Sequence, residues 1–273
     1  MTVVAITGGG RGIGRAIARR LAADGMRVAI GDIDTAAAES AAAELPGAIG
    51  LSLDVSDAAS FTAFVERVES ALGPIGILVN NAGIMPIGEF LSHDAELARR
   101  AVNINVHGPL NGMRAVLPGM RERGRGHIVN VASTAGSRGI PGGAIYSATK
   151  FAVVGMSDAI RQEYAAAGIA VSTVLPSFTN TELISGTTGL RGVPTVEPDD
   201  VAAAVVRAIA RRRAMIFVPG FLKGLVRLQA LLPVRAGDLA ARLIGADRVF
   251  LNIDQGQRAG YDARITGEHG GKS

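Results

Sequence analysis

From Thr2 to about Pro219, short apolar runs alternate with longer stretches whose apolar positions recur at helical spacing. The short runs predict strands at Val3 to Thr7, Arg27 to Asp32, Gly47 to Leu53, Ile75 to Asn80, Gly126 to Ala132, Ile169 to Leu175 and Met215 to Val218. Helices are predicted near Gly12 to Asp24, Ala36 to Leu45, Ala58 to Leu72, Asp94 to Arg123, Ala144 to Ala167 and Pro198 to Arg211. Such alternation describes successive βα units and predicts an α/β fold, a doubly wound, mostly parallel seven-stranded sheet covered on both faces. Residues 1–219 make up that domain.

The alternation stops after Pro219. Phe221 to Leu232 reads as a short apolar and basic helix that Pro233 ends, and Leu239 to Ile244 begins another. Residues 220–273 are therefore expected to be a helical C-terminal extension packed on the same domain or on a partner subunit. A second reading makes them an apolar flap with a cationic rim, suited to a greasy substrate or to an anionic membrane surface.

Composition narrows the setting. Of the 273 residues 48% are apolar, enough for one large core, and no segment reads as a linker between equal domains. The chain has no cysteine, which excludes thiolate catalysis and cysteine-based metal sites and fits a reducing cytoplasm. The first apolar run follows Met1 almost at once and leads directly into a glycine turn, so no secretion leader is expected. No apolar run approaches the length of a bilayer span. The net charge of +4 is modest, aromatics are scarce and no recognition motif accompanies the late basic residues, so no nucleic-acid partner is expected. No metal is expected either, because His93, His107, His127 and His269 are scattered and none pairs with a carboxylate at a familiar spacing.

Thr7 to Gly14 reads TGGGRGIG, directly between the first strand and the first helix. Gly8, Gly12 and Gly14 permit a tight turn and close approach of the backbone to a pyrophosphate, with Arg11 and Ile13 between them, and the helix amino terminus offers unpaired N–H groups. Asp32 closes the second strand about 20 residues further on, where its carboxylate can accept from an adenosine ribose and repel a 2′-phosphate. That favours NAD over NADP, although Arg11 pulls the other way. Asp54-Val55 ends the third strand and Asn80-Asn81-Ala82-Gly83 the fourth, at the edge where a doubly wound sheet binds its ligand. Asp54 suits an adenine amino group, and the Asn turn a ribose. Each is equally able to be a loop former.

The densest chemistry lies between Ser133 and Lys150, an S-x(12)-Y-x-x-x-K pattern. A strand delivers Ser133 at its carboxyl end, and Tyr146 and Lys150 lie four apart on the next helix, so that one reacting oxygen can meet hydroxyl, phenol and ammonium together. The lysine is expected to lower the phenol's pKa; bringing it down by roughly 3 units asks for about 4 kcal/mol of differential stabilisation, a sum that a partly dry site holding the lysine and a cationic cofactor ring can supply. Asn105 sits mid-helix, where a helix-averse amide predicts a local kink and a water held by freed backbone groups, or else a buried amide that is merely satisfied.

Together the glycine loop, Asp54-Val55, the NNAG turn, N-x-x-G at Asn105 to Gly108, Ser133 and YSATK at Tyr146 to Lys150 resemble the short-chain dehydrogenase/reductase family in order and spacing, over roughly residues 2 to 219. The resemblance implies a Rossmann fold, a homodimer or homotetramer built through the helices carrying Asn105 and Tyr146, and hydride transfer between NAD and an alcohol or ketone. It implies that Ser133 orients the substrate oxygen and that Tyr146 exchanges the proton. Lys150 would hold the nicotinamide ribose and lower the Tyr146 pKa, and Asn105 would anchor a relay water. Pro176 and Thr181 would flank the nicotinamide, Thr181 at its carboxamide. Ser177 stands where the family usually has glycine, which predicts a stiffer backbone there.

The loop Phe178 to Val196 is expected to close over the substrate. Met85, Ile140, Phe178, Leu183 and Ile184 would line an apolar pocket in which only Arg138 and Arg191 are placed to grip a carboxylate. The expectation is a cytoplasmic, NAD-dependent oxidoreductase for a hydrophobic small-molecule alcohol or ketone. The alternatives are a nucleotide-binding sensor or a membrane-surface protein without redox turnover.

Overall fold

The structure, a computed structural model, describes residues 1–266; His269 and Lys272 lie outside the described residues. Seven strands form one sheet: β1 (Val3–Thr7), β2 (Arg27–Asp32), β3 (Ile49–Ser52), β4 (Ile75–Asn80), β5 (Gly126–Val131), β6 (Ile169–Pro176) and β7 (Met215–Val218). Their spatial order is β3-β2-β1-β4-β5-β6-β7 and every pairing is parallel, so the sheet is wholly rather than mostly parallel. The chain reverses its direction of travel across the sheet between β1 and β4, which opens a crevice at their carboxyl ends.

Ten helices complete the described residues. In chain order they are α1 (Gly12–Ala23), α2 (Thr35–Ala43), α3 (Ala58–Leu72), α4 (Ala95–Val102), α5 (Gly108–Glu122), α6 (Ala144–Tyr164), α7 (Pro198–Arg211), α8 (Leu222–Ala230), α9 (Val234–Leu243) and α10 (Gln255–Thr266). Side chains that alternate along the strands feed two cores. Val4 and Ile6 of β1 pack with Ile17 and Leu21 of α1 and Val205 of α7, whereas Ala5 packs on the other face with Phe61 and Phe64 of α3 and Met113 of α5. The sheet is thus buried from both sides, as continuous apolar runs require. No helix among the described residues is long and apolar enough to cross a membrane.

The helix predicted over Asp94 to Arg123 is interrupted. A turn of π-helix, Asn103–His107, separates α4 from α5, at the place where Asn105 predicted a kink. The extension also differs from expectation: α9 starts at Val234, immediately after Pro233, and α10 carries no apolar stripe strong enough to be read from sequence.

A buried polar chain ties α6 to the sheet. Asn80 of β4 donates to Asn130 of β5 at 2.8 Å, Asn130 donates to Ser157 of α6 at 2.8 Å, and Ser157 donates to the Val153 carbonyl. Nearer the β5–β6 amino end, the Ser172 hydroxyl gives its only proton to the Arg213 carbonyl at 2.6 Å. It must therefore accept from His127 Nε2, 2.8 Å away, which fixes the Nε2-protonated tautomer. Burial, with Arg212 adding repulsion, lowers the His127 pKa from 6.5 to about 4. Between those values the unfolded chain binds a proton that the fold refuses, so stability falls as pH drops through this window, by roughly 3 kcal/mol in total. We expect His127→Gln to flatten the acid limb of urea-denaturation midpoints between pH 6.5 and 4; an unchanged slope would refute the assignment.

Candidate active site

At the crevice, one helix start is left open. Asp34, Asp57 and Asp94 each cap the first turn of α2, α3 and α4 with a carboxylate, but no side chain caps α1. Its first residues, Gly12 and Ile13, line the crevice, and the start has no side-chain acceptor, as a site for a diphosphate requires. The turn ahead of them is tightly built. Gly8 has φ +62°, and a Cβ at Gly14 would stand 2.2 Å from the Gly8 carbonyl oxygen. Asn81 locks the turn by donating from Nδ2 to the carbonyls of Thr7 and Gly8, both at 3.0 Å. Gly8, Arg11, Gly12 and Ile13 line the crevice, whereas Gly14 sits behind its wall.

Asp32 also lines the crevice, held by two backbone donors, Gly10 N–H to Oδ2 at 2.9 Å and Asp34 N–H to Oδ1 at 3.1 Å. Arg11 is ion-paired to Asp34, a residue that sequence reasoning left out. Asp54 is a loop former, its Oδ1 accepting from Ser56 N–H and Oγ–H, and the residue also borders the crevice beside Val55. Asn81, Ala82 and Gly83 form the opposite lip.

Ser133, Tyr146 and Lys150 meet at the other end of the same crevice, with Pro176 and Thr181 beside them. Ser133 extends from the end of β5, its Oγ accepting from Ala135 N–H at 3.1 Å, and it lies near enough to the Tyr146 phenol to ease its ionisation. Lys150 is buried without a carboxylate and donates to the Val131 carbonyl at 3.1 Å, its Nζ 5.6 Å from the centre of the Tyr146 ring. Asn105 lies just behind. Its Oδ1 accepts from Ile84 N–H at 2.8 Å, and its Nδ2 donates to the Ile84 carbonyl at 2.8 Å and to Thr149 Oγ1 at 3.0 Å. A methyl group built on Gly83 would sit 3.1 Å from Asn105 Oδ1 and 3.6 Å from Lys150 Nζ, so both polar groups border one small space.

One expectation, a lowered Tyr146 pKa, counted on a cationic cofactor ring as well as on Lys150; from the protein's own groups alone, burial pushes that pKa up to about 12, only partly offset by Ser133. Burial likewise lowers Lys150 to about 8. Spacing placed the cation correctly, but desolvation of the phenol outweighs an ammonium that is turned toward a carbonyl. A second expectation, stiffening at Ser177, meets no strained geometry: Arg212 is the one non-glycine residue with positive φ among the described residues.

The substrate end is apolar. Met85, Ile140, Phe178, Leu183 and Ile184 line it, and the extension adds Phe250, Tyr261 and Ile265, giving with the nucleotide end a cavity of about 700 Å³. The ends of the Phe178 to Val196 loop are pinned by Val196 N–H to the Phe178 carbonyl and Asn180 N–H to the Val196 carbonyl. Arg138 pairs with Asp238 of α9 instead of facing substrate, and Arg191 does not reach the cavity; Arg100 and Arg264 line it instead. Arg258 of α10 is fully buried. It donates to the carbonyls of Leu183 at 3.0 Å, Ser185 at 3.3 Å and Met85, and its Nε lies 2.9 Å from the Asp262 carboxylate. The Tyr261 hydroxyl accepts from Met85 N–H at 2.7 Å, and burial raises its pKa.

This geometry agrees with the similarity to known proteins, because residues 2–188 match the short chain dehydrogenase family. The chain belongs to that family. It is 37% identical over 233 residues to 2-(S)-hydroxypropyl-CoM dehydrogenase 3 of Xanthobacter autotrophicus, covering 78% of this chain and 91% of that one. It is 37% identical over 237 residues to the probable oxidoreductase EphD of Mycobacterium tuberculosis, covering 78% of this chain but spanning only 40% of EphD. A short chain dehydrogenase/reductase from Burkholderia phymatum, solved in complex with NAD, superposes with TM-score 0.77 at 30% identity over 84% of this chain and 92% of the other. The relatives matched are named as oxidoreductases and dehydrogenases, and the chain spans about two fifths of the EphD proteins.

Tyr261 and Arg258 were not foreseen, and the one available signal was a Tyr and two Arg spaced three apart on a polar stretch. Arg258→Met would strand three backbone carbonyls in an apolar setting, a loss expected to cost about 3 kcal/mol or more. Its checkable outcome is faster proteolysis after residue 250 and a raised KM for substrate with cofactor affinity unchanged; resistance equal to wild type would discount the clasp.

Proposed function

We propose that the chain is an NAD-dependent oxidoreductase for an apolar secondary alcohol or ketone, with Tyr146, Ser133, Lys150 and Asn105 as its catalytic set. The observation that carries this reading is the meeting of a buried phenol and ammonium with Ser133 in the crevice that also receives the uncapped start of α1. Gly8, Gly12, Gly14, Ile13, Asp32, Asp54, Val55, the Asn81 to Gly83 lip, Tyr146, Lys150, Pro176 and Thr181 would hold the dinucleotide. A bound nicotinamide would supply the acceptor for the carbinol hydrogen as hydride in oxidation, and the hydride donor in reduction.

In oxidation Tyr146 Oη, as phenolate, takes the hydroxyl proton while Ser133 Oγ hydrogen-bonds the same oxygen, and the carbon–oxygen bond becomes a carbonyl. In reduction the flow reverses, and Tyr146 donates. A phenol near pKa 12 is already protonated for that task. To act as base at neutral pH it needs about 7 kcal/mol of help, to which nearby positive charge and the substrate bond contribute. Lys150 holds the ribose and is the protein's own share of that charge. Asn105, fixed to Ile84 beside Lys150, positions a relay for the proton.

Preference for NAD is supported by Asp32, held toward the crevice by two N–H groups, and by Arg11, whose charge is engaged by Asp34. The apolar lining supports a hydrophobic substrate. In this proposal residues 1–219 are the catalytic body and 220–273 an extension packed on it, the enzyme is a cytoplasmic homo-oligomer, and the exposed apolar side chains of α8 and α9 favour an added contact with a membrane surface.

Tyr146→Phe is expected to lower kcat at least about a hundredfold while NAD affinity, read by fluorescence titration, stays within about threefold; full activity would remove Tyr146 from its role. Lys150→Met should move the acid limb of the oxidative kcat/KM profile, where activity rises as Tyr146 ionises, to higher pH and raise the KM for NAD. Asp32→Ser should cut the ratio of NAD to NADP efficiency by about tenfold or more, and a ratio that does not move would exclude Asp32 as the discriminator.

A further inference from the structure

A second cavity, of about 650 Å³, lies outside the active site between α6, β7 and α8. It is lined by buried Leu175 and Phe217 and by the more exposed Phe151 and Met215, together with Arg213, Lys223 and Arg227. Lys223 and Arg227 are four apart on α8 and so share a face. No carboxylate lines this cavity, and among the described residues none pairs with these three cations. Their charges are therefore not balanced within the chain's described residues, although the same holds for many of its other arginines.

Beside the cavity, α8 and α9 turn large apolar side chains to solvent. Leu228 is 60% exposed, Leu231 82% and Val234 79%, with Phe221, Leu239 and Leu243 also open. Three unpartnered cations around an apolar floor, next to an exposed apolar face, match one kind of ligand surface: anionic head groups above acyl chains. We propose that this cavity receives the phosphate head group of an anionic phospholipid while the α8–α9 face enters the outer acyl layer, docking the enzyme on a bilayer. The proposal rests on the membrane reading of the extension and is independent of the catalytic roles.

Flotation of the full chain with phosphatidylcholine vesicles, with and without phosphatidylglycerol, tests it. Wild type should float only with the anionic vesicles and be released by high salt. Lys223→Glu with Arg227→Glu should reduce the bound fraction at least about tenfold. Leu225→Ser with Leu228→Ser should also release the protein, and dehydrogenase turnover on a water-soluble substrate should stay at wild-type level in both variants, which shows that they fold. If wild type fails to float, the membrane reading and the lipid site both fall. If wild type floats and the charge-reversed variant floats equally, the lipid site alone falls. If the Leu variant instead lowers the solution mass by sedimentation and wild type ignores vesicles, the face is an interface between copies and the proposal is overturned.

Discussion

Lys150 is kept out of water without a carboxylate to balance it, and much of the architecture around the crevice serves that arrangement. A buried ammonium holds its charge only when fixed dipoles replace the lost solvent, and here the Val131 carbonyl at the end of β5 is the dipole the structure supplies. The lysine reaches it because α6 is keyed to the sheet through Ser157, Asn130 and Asn80, which sets both the height and the rotation of the helix. The same rotation carries Tyr146 into the crevice one turn away. Loss of that register would displace ammonium and phenol together.

Parallel pairing of all seven strands brings the ends of β1, β4, β5 and β6 to one edge. Four features that are far apart in sequence meet there: the open start of α1, the Asn81 to Gly83 lip, Ser133, and the Pro176 to Thr181 segment. The contrast between α1 and the aspartate-capped α2, α3 and α4 is informative, because local stability would favour a cap at every helix. Leaving the α1 amino terminus without a side-chain cap, as α5, α6, α8 and α9 also are, gives up roughly 1 kcal/mol of local stability, and at the crevice it keeps the N–H groups available to a ligand.

Much of this was legible in the sequence because buried parallel strands are uninterrupted apolar runs. β1, β2, β4 and β7 were bounded to the residue for that reason. The site's residues were legible because hydroxyl, phenol and ammonium carry their chemistry in their identity. What could not be read was set by burial and by distant partners. The burial that raises the Tyr146 pKa could not be read, because spacing reports the neighbouring cation and says nothing of solvent. Arg138 looked free until α9 brought Asp238 to it from 100 residues away. Helix α10 escaped because polar anchors, Arg258 and Tyr261, hold it to the body where an apolar stripe would ordinarily do so.

Those anchors have a consequence for how the pocket can change. Arg258 and Tyr261 grip only main-chain atoms of Met85, Leu183 and Ser185, so the docking of α10 does not depend on which side chains those positions carry. Met85 and Leu183 also face the substrate space. The lining can therefore be exchanged residue by residue, altering which molecules fit, while the roof stays fastened at the same points; diversification of specificity is uncoupled from retention of the closed shape.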